Sequence, residues 1–204
     1  MLAKDDFLVS KDGMIKRWAR RMLDALVFFK TSVRHPRMTG AILPSSNRLA
    51  KEMVSHVILN EGELVVELGA GTGVVTEALI KSGISPSHII AIEYSPILAK
   101  KLQKRFPTVQ VIKGDAANLI ALLGDQHARV STVISGLPLR SLPKLTSQKI
   151  LQQIAALLPS GSRYIQFTYY VGQSLFFSPM RIKSNYSKII WLNLPPARVD
   201  VFEV

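Results

Sequence analysis

The chain has 204 residues, 48% of them hydrophobic, which suits one domain with a sizeable core and an appendage rather than two full domains. Lys and Arg outnumber Asp and Glu by 26 to 14, and the formal charge of +12 predicts attraction to a phosphate-rich partner, either nucleic acid or an anionic membrane face. The absence of cysteine excludes disulfides and thiolate metal sites, and His35, His56, His88 and His127 show no ligand spacing, so no metal is expected.

No apolar run approaches the ~18 residues of a spanning helix, and the charged start does not read as a cleavable signal. Between Met14 and Lys30, Ile15, Trp18, Ala19, Met22, Leu23, Leu26 and Phe29 recur at helical steps and form one wide apolar stripe. Lys16, Arg17, Arg20 and Arg21 lie mostly off it. Such a helix can lie in a bilayer interface or dock on its own domain; both need the same stripe, and periodicity does not separate them. Pro36 to Ser46 is a turn-rich connector with a helix cap expected at Ser45 or Ser46, and Asn47 to Leu59 reads as the next helix.

Leu64 to Leu68 reads as a buried strand that runs into Gly69, Gly71 and Gly73, a turn too tight for side chains, and Val74 to Lys81 opens a helix behind it. A dinucleotide site wants G-x-G-x-x-G. Here the pattern is E-x-G-x-G-x-G from Glu67, which resembles motif I of the S-adenosylmethionine-dependent methyltransferases with a Rossmann-like fold. The alternative is a glycine-rich turn of some other α/β protein. The resemblance implies that Glu67 and the turn residues Gly69, Gly71, Thr72 and Gly73 hold the amino-acid part of the cofactor. It also makes Ser45 and Ser46, just upstream, candidates for the methionine carboxylate, beside their simpler capping role.

His88 to Glu93 is a second strand ending in an acid, 26 residues after Glu67, and Glu93 there can accept hydrogen bonds from ribose hydroxyls, with Tyr94 following it. Val109 to Ile112 is the third strand, and in the methyltransferase pattern the Asp115-Ala116 that follows sits beside the adenine amino group. Each acid could instead be a solvated strand end. From Gln126 to Val199, 74 residues contain no acid while Arg129, Arg140, Lys144, Lys149, Arg163, Arg181, Lys183, Lys188 and Arg198 fall among them, so the partner of this half should be negatively charged.

Val130 to Ile134 is the fourth strand and leads into Ser135-Gly136-Leu137-Pro138-Leu139 at the crevice end of the sheet. Methyltransferases acting on a nucleobase amine usually carry Asn or Asp, then Pro and an aromatic here, to bind the amine and stack on a flipped base. Ser135 and Leu139 supply neither anchor, and Ser135 is expected on the cofactor side. Leu142 to Leu158 is a helix, Ser162 to Thr168 the fifth strand, and Val171 to Met180 an apolar loop. Ile189 to Leu192 and Ala197 to Glu203 form an antiparallel final pair about Pro195-Pro196. The expected fold is a Rossmann-like, seven-stranded α/β sheet, mostly parallel, on residues 47–204, with 1–46 as a basic amphipathic arm and connector.

MTGAILPSS, VVELGAGTGVVTEALI, GDA, VISGLPL, YIQFTYY and WLNLPPARV, in this order, resemble the bacterial soluble phospholipid N-methyltransferases. That resemblance implies methyl transfer from S-adenosylmethionine to the amine of phosphatidylethanolamine, towards phosphatidylcholine, by a cytoplasmic protein peripheral on the inner face of the cytoplasmic membrane. It makes Arg17, Trp18, Arg20, Arg21, Met22 and Phe29 membrane contacts and an anionic bilayer, not nucleic acid, the partner. A free ethanolamine ammonium, with a pKa of about 10, must become neutral to attack the methyl group. The Gly136 carbonyl, Tyr170 and Tyr186 are expected to orient this amine, and Arg181 and Lys183 to hold the lipid phosphate. An RNA adenine N6-methyltransferase is the rival reading, and a membrane-binding module that keeps a cofactor pocket without turnover is a third.

Overall fold

The computed structural model describes residues 44–169, 183–193 and 196–204. The arm residues Arg17, Trp18, Arg20, Arg21, Met22 and Phe29 lie outside the described residues, as do Tyr170 and Arg181. Seven strands form one sheet in the order β3-β2-β1-β4-β5-β7-β6. They are β1 (Leu64–Leu68), β2 (Ile89–Glu93), β3 (Gln110–Lys113), β4 (Val130–Ser135), β5 (Arg163–Thr168), β6 (Lys183–Ile190) and β7 (Ala197–Glu203). The first five are parallel, and β7 runs antiparallel between β5 and β6, as the sequence predicts.

Every residue of β1 and β2 is buried, because helices cover both faces of a parallel sheet and an apolar run then pays no penalty on either side. One face packs Val66, Leu68, Val133 and Tyr164 against Ile150, Ile154 and Leu157 of α5 (Lys144–Leu157) and against α4 (Leu119–Leu123). The other packs Val65, Ile134, Ile165 and Val199 against α1 (Pro44–Val54), α2 (Val74–Lys81) and α3 (Pro96–Arg105). Strand β3 is only half-buried, as an edge strand should be.

Most boundaries fall within two residues of the expectation; helix α1 and strand β6 depart further. Helix α1 starts at Pro44 and ends at Val54, so Ser45 and Ser46 fall inside its first turn and not at a cap; Pro is well suited to open a helix because its missing N–H has no partner there. Strand β6 starts at Lys183, not Ile189, and its register against β7 shifts between Ser184 and Tyr186.

Candidate active site

The strand order reverses between β1 and β4, and the ends of these two strands define the crevice. They approach so closely that the Gly136 N–H donates to the Leu68 carbonyl at 2.8 Å. A Cβ on Gly136 would stand 3.1 Å from the Gly69 carbonyl oxygen, and one on Gly69 would stand 2.6 Å from Leu137 Cδ2. Both strand ends therefore exclude a side chain.

Gly69, Gly71 and Gly73 all have positive φ, +72°, +58° and +85°. The left-handed conformation folds the turn back against the end of β2, where the Gly69 and Ala70 N–H groups donate to the Ile92 carbonyl at 2.9 and 3.3 Å. The glycines differ in what surrounds them. A Cβ at Gly73 would meet Phe106 at 2.5 Å and Leu102 at 2.6 Å, so this glycine lets α3 close against the turn, whereas one at Gly71 would meet only the Gly69 carbonyl at 3.8 Å. The outer side of the turn at Gly71 is thus open to a ligand. Thr72 is exposed, and its carbonyl accepts a hydrogen bond from Arg105 Nη1 at 2.7 Å.

The acids are placed by the neighbouring strand ends. Glu93 is buried at the end of β2, where one carboxylate oxygen accepts from the Gly71 N–H and the other from the Ser95 N–H, both at 2.8 Å. It ties the glycine turn to the β2–α3 loop and still has lone pairs for hydroxyl donors. Glu67 is also buried and accepts from Thr76 Oγ1 at 2.5 Å. Burial pushes its carboxyl up to about 8; the Thr76 hydrogen bonds oppose this, and the nearby Glu93 charge adds to it. Asp115 Oδ1 accepts from the Ala117 N–H at 2.9 Å, which fixes the turn in which Ala116 is buried. Tyr94 is solvent-exposed beside them.

These parts fit an S-adenosylmethionine-type ligand: an open glycine turn, and two carboxyl groups and an aspartate fixed at three adjacent strand ends. Ser135 does not reach it. Its side chain is fully buried, accepts from the Leu137 N–H at 3.3 Å and hydrogen-bonds the Tyr164 hydroxyl, which in turn donates to Gln166 Oε1 at 2.6 Å. Gln166 Nε2 then donates to the Leu137 carbonyl at 3.0 Å. Ser135 belongs to a polar network that shapes the Gly136-Leu137 loop from beneath.

Two further expectations are corrected by position. The Tyr186 hydroxyl donates to Glu52 Oε1 at 2.7 Å, and its ring packs 4.3 Å from the His56 ring, on β6 rather than at the crevice. The His56 carbonyl accepts from Arg163 at the start of β5, which locates this cluster toward the far end of the sheet. Lys183 pairs in register with Glu203, itself opposite Arg163, so its backbone also stands at the end remote from the glycine turn. The side chains of Ser45 and Ser46 lie outside the described residues.

Among the described residues, Phe167 and Tyr169 are instead the aromatic pair on the Gly136 side of the crevice. Phe167 Cε1 comes within 3.9 Å of the Cβ position on Gly136, and the two rings meet edge to face with centroids 5.4 Å apart. Burial raises the Tyr169 phenol above its ordinary pKa, opposed by a hydrogen bond with Asn193. Ile165, Phe167 and Tyr169 pack in one apolar cluster on one side of the sheet, at the two-residue spacing of a strand. Among the described residues no group of His, Asp and Glu could hold a metal ion.

Residues 65–161 match the methyltransferase domain family. The chain is 28% identical over 151 residues to an ornithine lipid N-methyltransferase of Singulisphaera acidiphila, a match covering 72% of this chain and 79% of that one. It is 38% identical over 85 residues to ribosomal RNA small subunit methyltransferase A of Thermotoga maritima, covering 40% of this chain and 29% of the relative. Among solved structures it resembles the 1,6-didemethyltoxoflavin-N1-methyltransferase of Burkholderia thailandensis, with a TM-score of 0.64 at 14% identity over 92% of this chain and 89% of that one. The fold is thus that of the S-adenosylmethionine-dependent methyltransferases, and the cofactor is S-adenosylmethionine.

Proposed function

We propose that this methyltransferase transfers methyl groups from S-adenosylmethionine to the amine of a membrane lipid, with phosphatidylethanolamine and its methylated forms as acceptors. The extent of the lipid-enzyme likeness carries this reading: it spans 151 residues, against 85 for the ribosomal RNA enzyme. The acceptor loop supports it. Leu139, where a base-stacking aromatic would be needed, is buried in the core, so no planar ring faces the crevice from that position. Ornithine lipid is the second acceptor to consider, because the relative that matches over most of both chains is named for it.

In this reading the cofactor supplies an electrophilic methyl group on sulfur. Glu67 and Asp115 line the pocket around it, and Glu93 receives the ribose hydroxyls while holding the turn. The Gly136 carbonyl and the Phe167 and Tyr169 rings face the acceptor nitrogen. A carbonyl and aromatic faces favour a cationic methylated amine through dipole and cation–π attraction, and a water-poor wall favours the neutral attacking form. Tyr169 stays a neutral phenol, so it positions the amine and does not deprotonate it.

The test is incubation of the protein with labelled S-adenosylmethionine and, separately, vesicles of phosphatidylethanolamine with an anionic lipid, vesicles of ornithine lipid, and total RNA. Label is expected in phosphatidylethanolamine. Label in ornithine lipid alone selects the second acceptor, and label in RNA alone refutes a lipid enzyme.

A further inference from the structure

Large apolar side chains are exposed at one end of the sheet. Among the described residues these are Tyr94 (73%) and Ile97 (67%) after β2, Leu145 (77%) at the start of α5, and Trp191 (70%) and Leu192 (71%) in the β6–β7 turn; only Ile58 stands at the other end. The register fixes these positions. Ile190 pairs with Ala197, and Ile189 with Arg198, which is opposite Thr168 at the end of β5, so the β6–β7 turn stands level with the crevice. Leu145 follows the Gly136–Leu139 loop and starts a helix whose Ser147 hydroxyl donates to the Leu139 carbonyl at 2.6 Å.

Among the described residues exposed acids are confined to one end of the same axis, while exposed cations stand at both, Arg129 at the acidic end among them. The exposed acids among the described residues, Glu61, Asp125 and Glu203, precede β1, precede β4 and end the antiparallel β7, all at the end remote from the crevice. Exposed Lys113, Arg140 and Lys144 stand at the crevice end. An interface belt needs Trp and Leu that give up water, with cations beside them for lipid phosphates. An RNA surface has no use for Leu145 and Leu192. Exposed apolar residues that gather at one end are a contact surface, since scattered ones would fall at both.

From this we infer that the crevice end of the domain is itself a bilayer-contacting surface, with Trp191, Leu192 and Leu145 entering the headgroup layer and Arg140, Lys144 and Lys113 meeting anionic headgroups. The inference rests on the lipid reading for the identity of the surface. Its geometry lets an acceptor headgroup reach Gly136 without the lipid leaving the membrane. The domain's contact is read through its own side chains.

The full chain contains two tryptophans, Trp18 and Trp191, so Trp18→Phe leaves Trp191 as the sole indole. Vesicles of phosphatidylethanolamine with phosphatidylglycerol are added, binding is scored by flotation, and Trp191 emission is followed with brominated lipids as depth-dependent quenchers. A blue shift with quenching is expected. The double variant Leu145→Glu, Leu192→Glu should lower methylation of vesicle-held lipid about tenfold while keeping its melting temperature and its affinity for S-adenosylhomocysteine. A protein that floats while Trp191 stays open to water overturns the inference and leaves the lipid reading intact, as does unchanged methylation in the double variant. Failure to float overturns it too, and so does protection of Trp191 by RNA but not by vesicles. Insertion of Trp191 with no label entering any lipid sinks the acceptor assignment instead and leaves the surface standing.

Discussion

Glu67 shows what a buried acid does to its own protein. Its carboxyl is held up to about 8 by burial, so between its ordinary pKa of 4.5 and that value the folded chain holds a proton that the unfolded chain has lost. Stability from this group is full below pH 4.5 and is lost as pH rises through 8. Glu67→Gln should therefore leave the unfolding free energy of the cofactor-free protein nearly unchanged at pH 5 and raise it at pH 9 by on the order of a few kcal/mol. A stabilising effect that does not grow with pH would refute the neutral carboxyl. The glycines separate in the same manner. Gly73→Ala drives a methyl group into Phe106 and Leu102 and should cost about 3 kcal/mol in denaturant unfolding. Gly71→Ala meets open space, so it should cost about 1 kcal/mol but weaken S-adenosylhomocysteine binding about tenfold. Comparing Phe167→Ala with Tyr186→Phe tests the relocation of the aromatic site: the first should lower kcat about tenfold, and the second should cost about 1 kcal/mol of stability through the lost Glu52 bond with turnover kept. The acids and glycines were legible because each is a backbone requirement or a strand-end charge with a fixed spacing. Tyr186 was misread because residue type names a chemistry but not a direction, and its hydroxyl answers to Glu52, 134 positions away in sequence.

At the scale of elements, the inner strands read directly from their unbroken apolar runs, while the edge strand did not. Strand β6 carries Lys183, Ser184, Asn185, Ser187 and Lys188, a composition that suits an edge open to solvent and that by itself looks like a polar loop. Its pairing depends on β7, whose Arg198 and Asp200 are both buried. Arg198 donates through Nε and Nη2 to Asp200 Oδ2 at 3.0 and 2.8 Å, and Ser187 Oγ donates to Oδ1 at 2.7 Å, locking the two strands together. Asp200→Asn removes the carboxylate charge that the buried guanidinium faces and should cost about 3 kcal/mol, measured by urea unfolding. A loss within experimental error would show that the pair is solvated in the native protein. Helix α1 starts earlier than a turn-rich connector through Ser46 implies, because a proline at a helix start is as much a signal as a serine cap.

The whole molecule carries a charge of +12 that its composition announces but does not locate. Only the three-dimensional arrangement shows that, among the described residues, the exposed acids collect at the end remote from the crevice and that Lys113, Arg140 and Lys144 share the crevice end with Trp191 and Leu145. Partition onto anionic vesicles should fall steeply as salt is raised from 50 to 500 mM, since the screening length shrinks from about 14 to about 4 Å, and retain a residue set by apolar contact. Salt-independent partition would show that charge has no part in it. Among the described residues no helix is long and apolar enough to cross a membrane. The contact between Gly69 and Gly136 has one further consequence. The turn that shapes the donor pocket and the loop that faces the acceptor press on each other with no side chain between them to absorb a shift. A lineage adapting to a bulkier headgroup cannot widen one without loosening the other, so its inherited route to a new specificity lies along the outer walls, at Phe167 and Tyr169, where change carries no such debt.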